Sequence, residues 1–364
     1  MTTPDPALRA LIDRILQARS ERTPLAIQGG NTKAFYGEAV QGEPLDVRPL
    51  AGISSYEPSE LVLTARAGTP LAEVEAALAE CGQCLPFEPP RFGEGGTLGG
   101  MVAAGLSGPA RPSVGSIRDH VLGLSLVNGK GELLSFGGQV MKNVAGYDVS
   151  RLMVGALGVL GVICEVSLKV LPAAPAQQTV RFELAQADAL KAVNTWAGQP
   201  LPLQASAWWD GMLVLRLAGA GAAVDAALTR LGGEVIEPAL AASFWQGLRD
   251  HADEFFVGAA RAVQAGATLW RLSVPATAPP LGLSGEMLIE WGGAQRWLCT
   301  STPAPAVRAA AAAVGGHATM FRSLNKAPGV FSALPAPLER IHRELKRAFD
   351  PDGILNPGRF YPWL

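Results

Sequence analysis

The stretch that decides the fold is Arg91-Phe-Gly-Glu-Gly-Gly-Thr-Leu-Gly-Gly-Met-Val-Ala-Ala-Gly-Leu-Ser-Gly108, in which seven of eighteen residues are glycine. A flexible linker is rich in Gly, Ser and polar residues, whereas this stretch also carries Leu98, Met101, Val102 and Leu106 at near-helical spacing. The pattern predicts a loop whose glycines let the backbone approach another group closely. A short helix follows, and its N-terminal N–H groups are expected to point at that group. A flat or phosphate-bearing ligand suits such a site.

Length and composition predict a folded chain with a large core. The 364 residues are 48% hydrophobic and 17% charged, a length typical of about two or three domains. The net charge of −2 gives no electrostatic basis for nucleic-acid binding. The most apolar stretch, 152–170, contains glycines and the charged Glu165 and Lys169, so no membrane span is expected. The N-terminus lacks the charged and apolar regions of a signal peptide, which favours a cytoplasmic protein.

A second candidate ligand loop lies near the N-terminus. The apolar residues 25–27 predict a short buried strand, and Gln28-Gly-Gly-Asn-Thr-Lys33 follows it directly. Consecutive N–H groups in such a turn form a nest suited to pyrophosphate, although a plain surface turn is the alternative. No GxxxxGK[ST] pattern occurs, which excludes a Walker A loop. A Rossmann loop does not fit the opening stretch, because proline-rich coil rather than an apolar strand precedes it.

Cysteine and histidine give no metal site. The pair Cys81 and Cys84 has the CxxC spacing of a redox or metal motif, but no second pair follows it. The four histidines are isolated, and none stands at metal-ligand spacing from another: they are His120, His251, His317 and His342.

The remaining chain predicts two further regions. Asn128-Gly-Lys-Gly131 is a strong hairpin signal, and a second glycine turn follows at residues 155–161. Beyond the proline-rich linker 172–175, residues 179–237 read as βαββαβ, a ferredoxin-like half. A single helix is expected around residues 243–254, then a partial second copy of the half. The tail predicts a basic amphipathic helix over residues 338–349.

Five motifs, taken together, resemble a known family. They are Ile27-Gln-Gly-Gly-Asn-Thr-Lys33, Gly95-Gly-Thr-Leu-Gly-Gly100, Lys142-Asn-Val-Ala-Gly-Tyr-Asp148, Gly158-Val-Leu-Gly-Val-Ile163 and Asp350-Pro-Asp-Gly-Ile-Leu-Asn-Pro-Gly-Arg359. Each motif alone is weak evidence, whereas five in this order are strong. The chain resembles FAD-binding proteins of the vanillyl-alcohol-oxidase/p-cresol-methylhydroxylase (PCMH) type. Within them it is most similar to the shorter flavin-binding subunits of bacterial glycolate oxidases.

The resemblance implies an α+β fold in three parts. A PCMH-type FAD-binding domain of two α+β subdomains is expected at residues 1–172, and a ferredoxin-like α+β cap domain at residues 173–334. A C-terminal segment, residues 335–364, is expected to return to the FAD domain. No His or Cys lies where a covalent flavin link is expected, so the resemblance implies non-covalent FAD.

The resemblance also implies the residues that contact FAD. The first loop and the opening glycine stretch are expected to cradle the pyrophosphate, with Gly99 and Gly100 closest to the flavin, so that valine at either position removes flavin binding from a folded chain. Arg359 is expected to stabilise negative charge on reduced flavin. The full expected set is Gln28, Gly29, Gly30, Asn31, Thr32, Lys33, Pro86, Gly95, Gly96, Thr97, Gly99, Gly100, Gly158, Gly161, Val162, Asn356 and Arg359.

Catalytic residues are less well defined than the cofactor set. The weak candidates are Lys142 and Tyr147, from their family motif, and Arg322, from spacing alone. The alternative for that motif is structural, with Asp148 capping the next helix and Tyr147 packed beneath it. Related 2-hydroxy-acid oxidising enzymes carry a histidine- and glycine-rich cap motif that this sequence lacks.

Three functions remain open at this point. The favoured one is a subunit of a glycolate oxidase complex that oxidises glycolate to glyoxylate. This subunit is expected to bind FAD and relay electrons beside a larger FAD-binding subunit and an iron–sulfur subunit. Membrane association, if any, would run through those partners. The alternatives are a scaffold subunit with vestigial flavin chemistry and a stand-alone FAD-dependent 2-hydroxy-acid dehydrogenase.

Overall fold

The computed structural model describes residues 5–138 and 147–364 of the chain. Its first part, up to residue 172, mixes short helices with short strands. The helices are α1 (Pro6–Glu21), α2 (Leu71–Glu80), α3 (Leu98–Ala104), α4 (Arg111–Val114), α5 (Ile117–His120) and α6 (Val149–Met153). The strands are β1 (Leu25–Gln28), β2 (Glu43–Asp46), β3 (Ile53–Glu57), β4 (Val62–Arg66), β5 (Gln83–Cys84), β6 (Val121–Val127), β7 (Leu133–Gly137), β8 (Val162–Lys169) and β9 (Leu171–Pro172).

Two sheets of this first part carry the two subdomain cores. Strands β1 and β2 pair in parallel, and α1 packs its buried Leu11 and Ile15 near them. A five-stranded antiparallel sheet has the order β3-β4-β8-β6-β7, and its core holds α2 and α3 residues such as Val74 and Met101. This mixed architecture confirms the predicted α+β class.

The predicted hairpin is confirmed between β6 and β7. The Asn128 Oδ1 atom accepts hydrogen bonds from the backbone N–H groups of Lys130 and Glu132. Gly131 takes a positive φ of 78°, a conformation that glycine adopts without strain. The asparagine and the glycine together therefore close the turn.

The second part of the chain forms one large sheet. Its elements are β10 (Ala176–Glu183), α7 (Gln186–Ala197), β11 (Leu203–Trp209), β12 (Met212–Gly219), α8 (Gly221–Leu231), β13 (Glu234–Ile236), α9 (Pro238–Asp250), α10 (Glu254–Gln264), β14 (Thr268–Ser273), β15 (Glu286–Glu290), β16 (Gln295–Thr300), α11 (Ala304–Ala313) and β17 (His317–Arg322). The strand order is β13-β10-β12-β11-β15-β16-β14-β17. The first six elements run βαββαβ, as the sequence predicts.

One helix of this part differs from expectation. The single helix predicted around residues 243–254 is wrong, because α9 ends and α10 begins there. His251 takes a left-handed backbone (φ 57°) and its N–H caps the end of α9 at Gly247 and Leu248. Asp253 then caps the start of α10 by accepting from the N–H of Phe256. The break therefore has a capping residue on each side.

One face of the large sheet packs toward the first part of the chain. Its buried Leu269, Trp297 and Phe321 share a core with Tyr36 and Leu106. We call the second part the cap. No helix of the described residues is both long enough and apolar enough to cross a membrane. The division at residues 172 and 334 stays a prediction.

The C-terminal helix α12 (Ala336–Phe349) is tied down by a buried ion pair. The Lys346 Nζ donates to the Asp350 carboxylate at 2.7 Å and to the carbonyl oxygens of Val159 and Leu355. Burial lowers the pKa of Lys346, while Asp350 acts to raise it. The Asp350 carboxylate also accepts from the N–H of Leu355, so both charges are satisfied.

We predict that Lys346→Met lowers the free energy of unfolding by about 3–5 kcal/mol, because it leaves a buried carboxylate without its cation. Urea denaturation measures the change. The control is Arg340→Met, since Arg340 forms only an exposed pair with Glu344, and its loss costs less than about 1 kcal/mol. Equal losses in the two variants would contradict the role assigned to the pair.

Candidate functional site

The largest part of the predicted cofactor set lines one cleft of about 350 Å³. This volume lies in the range of small-molecule sites. The predicted residues that line it are Gln28, Gly29, Gly30, Asn31, Thr32, Lys33, Thr97, Gly99, Gly100, Gly158, Gly161, Asn356 and Arg359. The first loop, the opening glycine stretch, the second glycine turn and the tail therefore meet at one place.

Four predicted residues lie outside this lining. Gly95 is exposed and Gly96 is half-buried on the loop before α3. Pro86 is buried in the first part of the chain, and Val162 is fully buried, paired in the sheet with Val127. Contacts between these four residues and FAD stay predictions that the cleft geometry does not support.

The first loop supplies donors without acceptors. Within the described part of the chain, no backbone N–H of residues 29–33 donates a hydrogen bond. Asn31 has a left-handed backbone (φ 56°), which is the kind of kink that turns successive N–H groups toward one side. Buried or half-buried donors left unpaired cost free energy, and an anion in the cleft would satisfy them.

The glycines of the first loop allow it to lie in direct contact with the loop before α3. A Cβ on Gly30 would lie 1.6 Å from the carbonyl oxygen of Gly95, and one on Gly29 would lie 2.5 Å from the Thr97 Oγ1. No side chain fits at such distances, so the first loop rests directly on the loop before α3. The sequence predicts a nest of N–H groups in the first loop, and the structure adds close contact of its glycines with Gly95 and Thr97 of the opening stretch.

The N-terminus of α3 is not the free donor site that the sequence predicts. The N–H groups of Leu98 and Gly99 donate to the carbonyl oxygens of Thr69 and Ala67. The N–H of Gly100 donates to the Thr97 Oγ1 at 3.2 Å. The first turn of the helix is therefore satisfied by protein groups, and the donors without partners belong to residues 29–33.

The two glycines expected nearest the flavin differ in surroundings. A Cβ on Gly99 would lie 2.7 Å from the Ala67 Cβ, inside the packed core. A Cβ on Gly100 would contact only the Thr97 Oγ1, at 3.1 Å, and Gly100 lines the cleft. Valine at Gly99 is therefore expected to destabilise the fold itself, because the new side chain would overlap Ala67 in the core, so this position does not report on flavin binding alone.

The second glycine turn and the tail close the far side of the cleft. Gly158 has φ 76°, and a Cβ there would lie 2.7 Å from the Asn356 Nδ2. The Asn356 side chain donates to the Leu157 carbonyl and accepts from the N–H of Ile27, both at 2.7 Å. Asn356 therefore shapes this wall by bonding to protein groups.

Two cations border the cleft. Burial lowers the pKa of Lys33 to about 8, while the Asp250 carboxylate acts to raise it. The Arg359 guanidinium donates to the carbonyl oxygens of Lys33, Ala34 and Glu38, and burial lowers its pKa. Lys33 is thus the cation that can bind a ligand most freely, while the hydrogen bonds of Arg359 fix the backbone at the end of the first loop and just after it.

Aromatic rings connect Lys33 with the cap. The Lys33 Nζ lies 5.5 Å from the ring centre of Phe92. The ring of Phe92 in turn lies 4.7 Å from His251 and 6.0 Å from Phe321. The Arg322 guanidinium lies 3.5 Å from the ring centre of Phe35. Sequence reasoning assigned no role to Phe92, although this residue lies inside the opening stretch.

The two catalytic candidates that the structure describes, Tyr147 and Arg322, have different surroundings. Lys142 lies outside the described residues. Tyr147 is 98% exposed, so the expectation that it packs beneath a helix is wrong, whereas Asp148 caps α6 by accepting from the N–H of Arg151, as the structural alternative predicts. Arg322 is half-buried beside the first loop, and burial lowers its pKa.

Family comparisons agree with the cleft. Residues 8–137 match the FAD binding domain family, and residues 335–360 match the C-terminal domain of FAD linked oxidases. The fold and the cleft therefore define an FAD-linked oxidase, with FAD as the cofactor. The glycolate oxidase subunit GlcE of Escherichia coli is 49% identical over 98% of this chain and 98% of its own length. The chain belongs to the GlcE family.

Other relatives match a smaller share of this chain. The glycolate oxidase subunit GlcD of Bacillus subtilis is 30% identical over 46% of this chain, and the match covers 36% of its own length. Among solved structures, alkyldihydroxyacetonephosphate synthase has a TM-score of 0.68 at 15% identity, covering 96% of this chain and 74% of that protein. This last similarity concerns the fold alone.

The residues present fit a dinucleotide cofactor. The unpaired N–H groups of residues 29–33 and the ammonium of Lys33 suit a pyrophosphate. Asn356 and Gly158 also line the cleft. The Asn356 amide is held by bonds to protein groups, and Gly158 adds no side chain to the cleft. The assignment of individual residues to parts of FAD stays a prediction.

We predict that Gly100→Val weakens FAD binding at least about tenfold while the chain stays folded, because the new side chain enters the cleft. Flavin absorbance after gel filtration measures the retained cofactor. Gly258→Val is the matched control, since a helical Cβ there meets nothing within 4 Å, and Gly99→Val is expected to lower the urea midpoint. Full FAD content in Gly100→Val would refute the placement.

We also predict that the affinity for FAD depends on pH through the ionisation of Lys33. Its pKa of about 8 means that the ammonium is charged at neutral pH, and a bound pyrophosphate favours that charged form. FAD affinity should therefore fall about tenfold as the pH rises from about 7 to about 9.5. Fluorescence titration of FAD measures it. Lys33→Arg, which keeps its charge, should remove the decline, and an identical decline in that variant would contradict the prediction.

Proposed function

We propose that this chain is the FAD-binding subunit of a multi-subunit glycolate oxidase, which oxidises glycolate, a 2-hydroxy acid, to glyoxylate. The observation that carries the proposal is the 49% identity to the GlcE subunit over nearly the whole of both chains. The match to GlcD, another glycolate oxidase subunit, supports a complex of related flavoprotein subunits.

The cleft supports the cofactor part of this function. The unpaired N–H groups of residues 29–33 bind the pyrophosphate, and Lys33 adds a positive charge beside it. Bound FAD would supply a redox centre that relays the electrons of glycolate oxidation together with the partner subunits. The chain's own residues orient the cofactor, and the aromatic rings of Phe35 and Phe92 exclude water between the cleft and the cap.

The partners are a larger FAD-binding subunit and an iron–sulfur subunit. The described residues hold no group of three or more His, Cys, Asp or Glu side chains that could bind a metal ion. Any attachment to a membrane runs through those subunits as well.

The test compares the chain alone with the assembled complex. Each is purified, its visible spectrum is recorded, and glycolate is added without oxygen. We expect a yellow chain whose flavin bleaches only when the partner subunits are present. A colourless chain would overturn FAD binding and favour a scaffold, whereas bleaching of the isolated chain would favour a stand-alone dehydrogenase over a subunit.

A further inference from the structure

The cap holds a groove of its own, which shares no lining residue with the cofactor cleft. Its volume is about 440 Å³, which lies in the range of ligand sites. One side is the tip of the hairpin formed by β11 and β12, with Trp208, Trp209 and Asp210, and the other side is the start of β15, with Glu286 and Met287. We call it the cap groove.

The groove lies where two neighbouring strands of the large sheet separate. Strand β11 pairs with β15 only at residues 207–208, whereas β15 pairs with β16 along its whole length, residues 286–290. Residues 286–288 therefore have a strand partner on one side only, over a length of about 10 Å. Such an open edge is a template for pairing with another extended segment.

The walls beside this open edge are apolar and held in place. Trp208 donates through its Nε1 to a backbone carbonyl, that of Leu184, at 2.8 Å, and the ring of Trp209 lies 6.2 Å from that of Phe255. Across the groove, Leu283 packs on the core that β14, β16 and α11 share. Because contacts within the cap fix both indole rings, a bound segment meets a preformed surface and loses little free energy to reorganisation.

The charged residues of the groove are acids. Its lining includes Asp210 and Glu286 and has no Lys, Arg or His among the described residues. Both acids are exposed, and within the described chain neither forms an ion pair, whereas Arg181 and Glu234 on the same sheet pair at 2.7 Å. The two carboxylates therefore favour a cationic occupant, and indole faces attract lysine and arginine as well.

We propose that the cap groove receives an extended segment of a partner subunit, in which lysine or arginine alternates with apolar residues. The segment adds to the open edge of β15 as a short strand. Its cations meet Asp210 and Glu286, and its apolar side chains contact the two indole rings. A small free amine would satisfy the carboxylates but leave the strand edge unpaired, which favours a chain segment. The inference rests on the proposed function, since the partner is another subunit of the glycolate oxidase complex.

The test uses the complex as it assembles. The tagged chain is co-expressed with the larger FAD-binding subunit and the iron–sulfur subunit, and the partner recovered per mole of chain is measured. Asp210→Asn combined with Glu286→Lys should lower this recovery about tenfold or more, because charge-assisted contacts are lost and one becomes a repulsion. Asparagine suits position 210, whose φ is 47°, since it tolerates a left-handed backbone.

The matched control is Asp225→Asn combined with Glu80→Lys, which changes two exposed acids outside the groove and should leave recovery unchanged. A second measurement reports on the strand edge itself. Amide hydrogen exchange at residues 286–288 should slow in the complex relative to the isolated chain, because an added strand protects the edge.

The outcomes separate this inference from the proposed function. A wild-type chain that recovers no partner subunit contradicts the complex and the groove together. Equal recovery in the two double variants, or unchanged exchange at residues 286–288, overturns the groove alone and leaves the complex standing. A groove variant that loses FAD absorbance or its urea midpoint along with its partners also counts against docking, since the substitutions would then act through the fold.

Discussion

The cleft depends on the hydrogen bonds of one side chain, that of Asn356. Its amide bonds to the N–H of Ile27 and to the carbonyl of Leu157, and its own backbone N–H donates to Leu25. Strand β1, the second glycine turn and the C-terminal tail are therefore joined at one residue. Each buried bond is modest alone, but leaving its partners unpaired is expensive, so the three walls form as one unit.

The first loop is held by cations that come from distant parts of the chain. Arg359 bonds to the carbonyl oxygens of Lys33, at the end of the loop, and of Glu38 beyond it. Lys326 from the cap bonds to those of Phe35 and Gly37. These bonds fix the segment that follows the loop and join it to the cap, while the N–H groups of residues 29–33 stay free for an anion.

Local motifs predicted much of the fold and the place of the cleft. The family, the α+β class, the hairpin at Asn128 and the meeting of four motif segments follow from short-range pattern and order along the chain. The roles of single residues did not, because they depend on tertiary neighbours: Gly99 faces Ala67, and the first N–H groups of α3 find acceptors far away in sequence.

The unpaired N–H groups of residues 29–33 also bear on how the subunit is maintained. A ligand that binds only the folded chain raises the free energy of unfolding. The increase grows with the logarithm of the free-ligand concentration divided by the dissociation constant. Chain made when flavin is scarce is therefore the form most readily unfolded and degraded. Because Lys326 of the cap bonds to the carbonyl oxygens of Phe35 and Gly37 just after this loop, stabilisation of the loop by the cofactor extends to the cap.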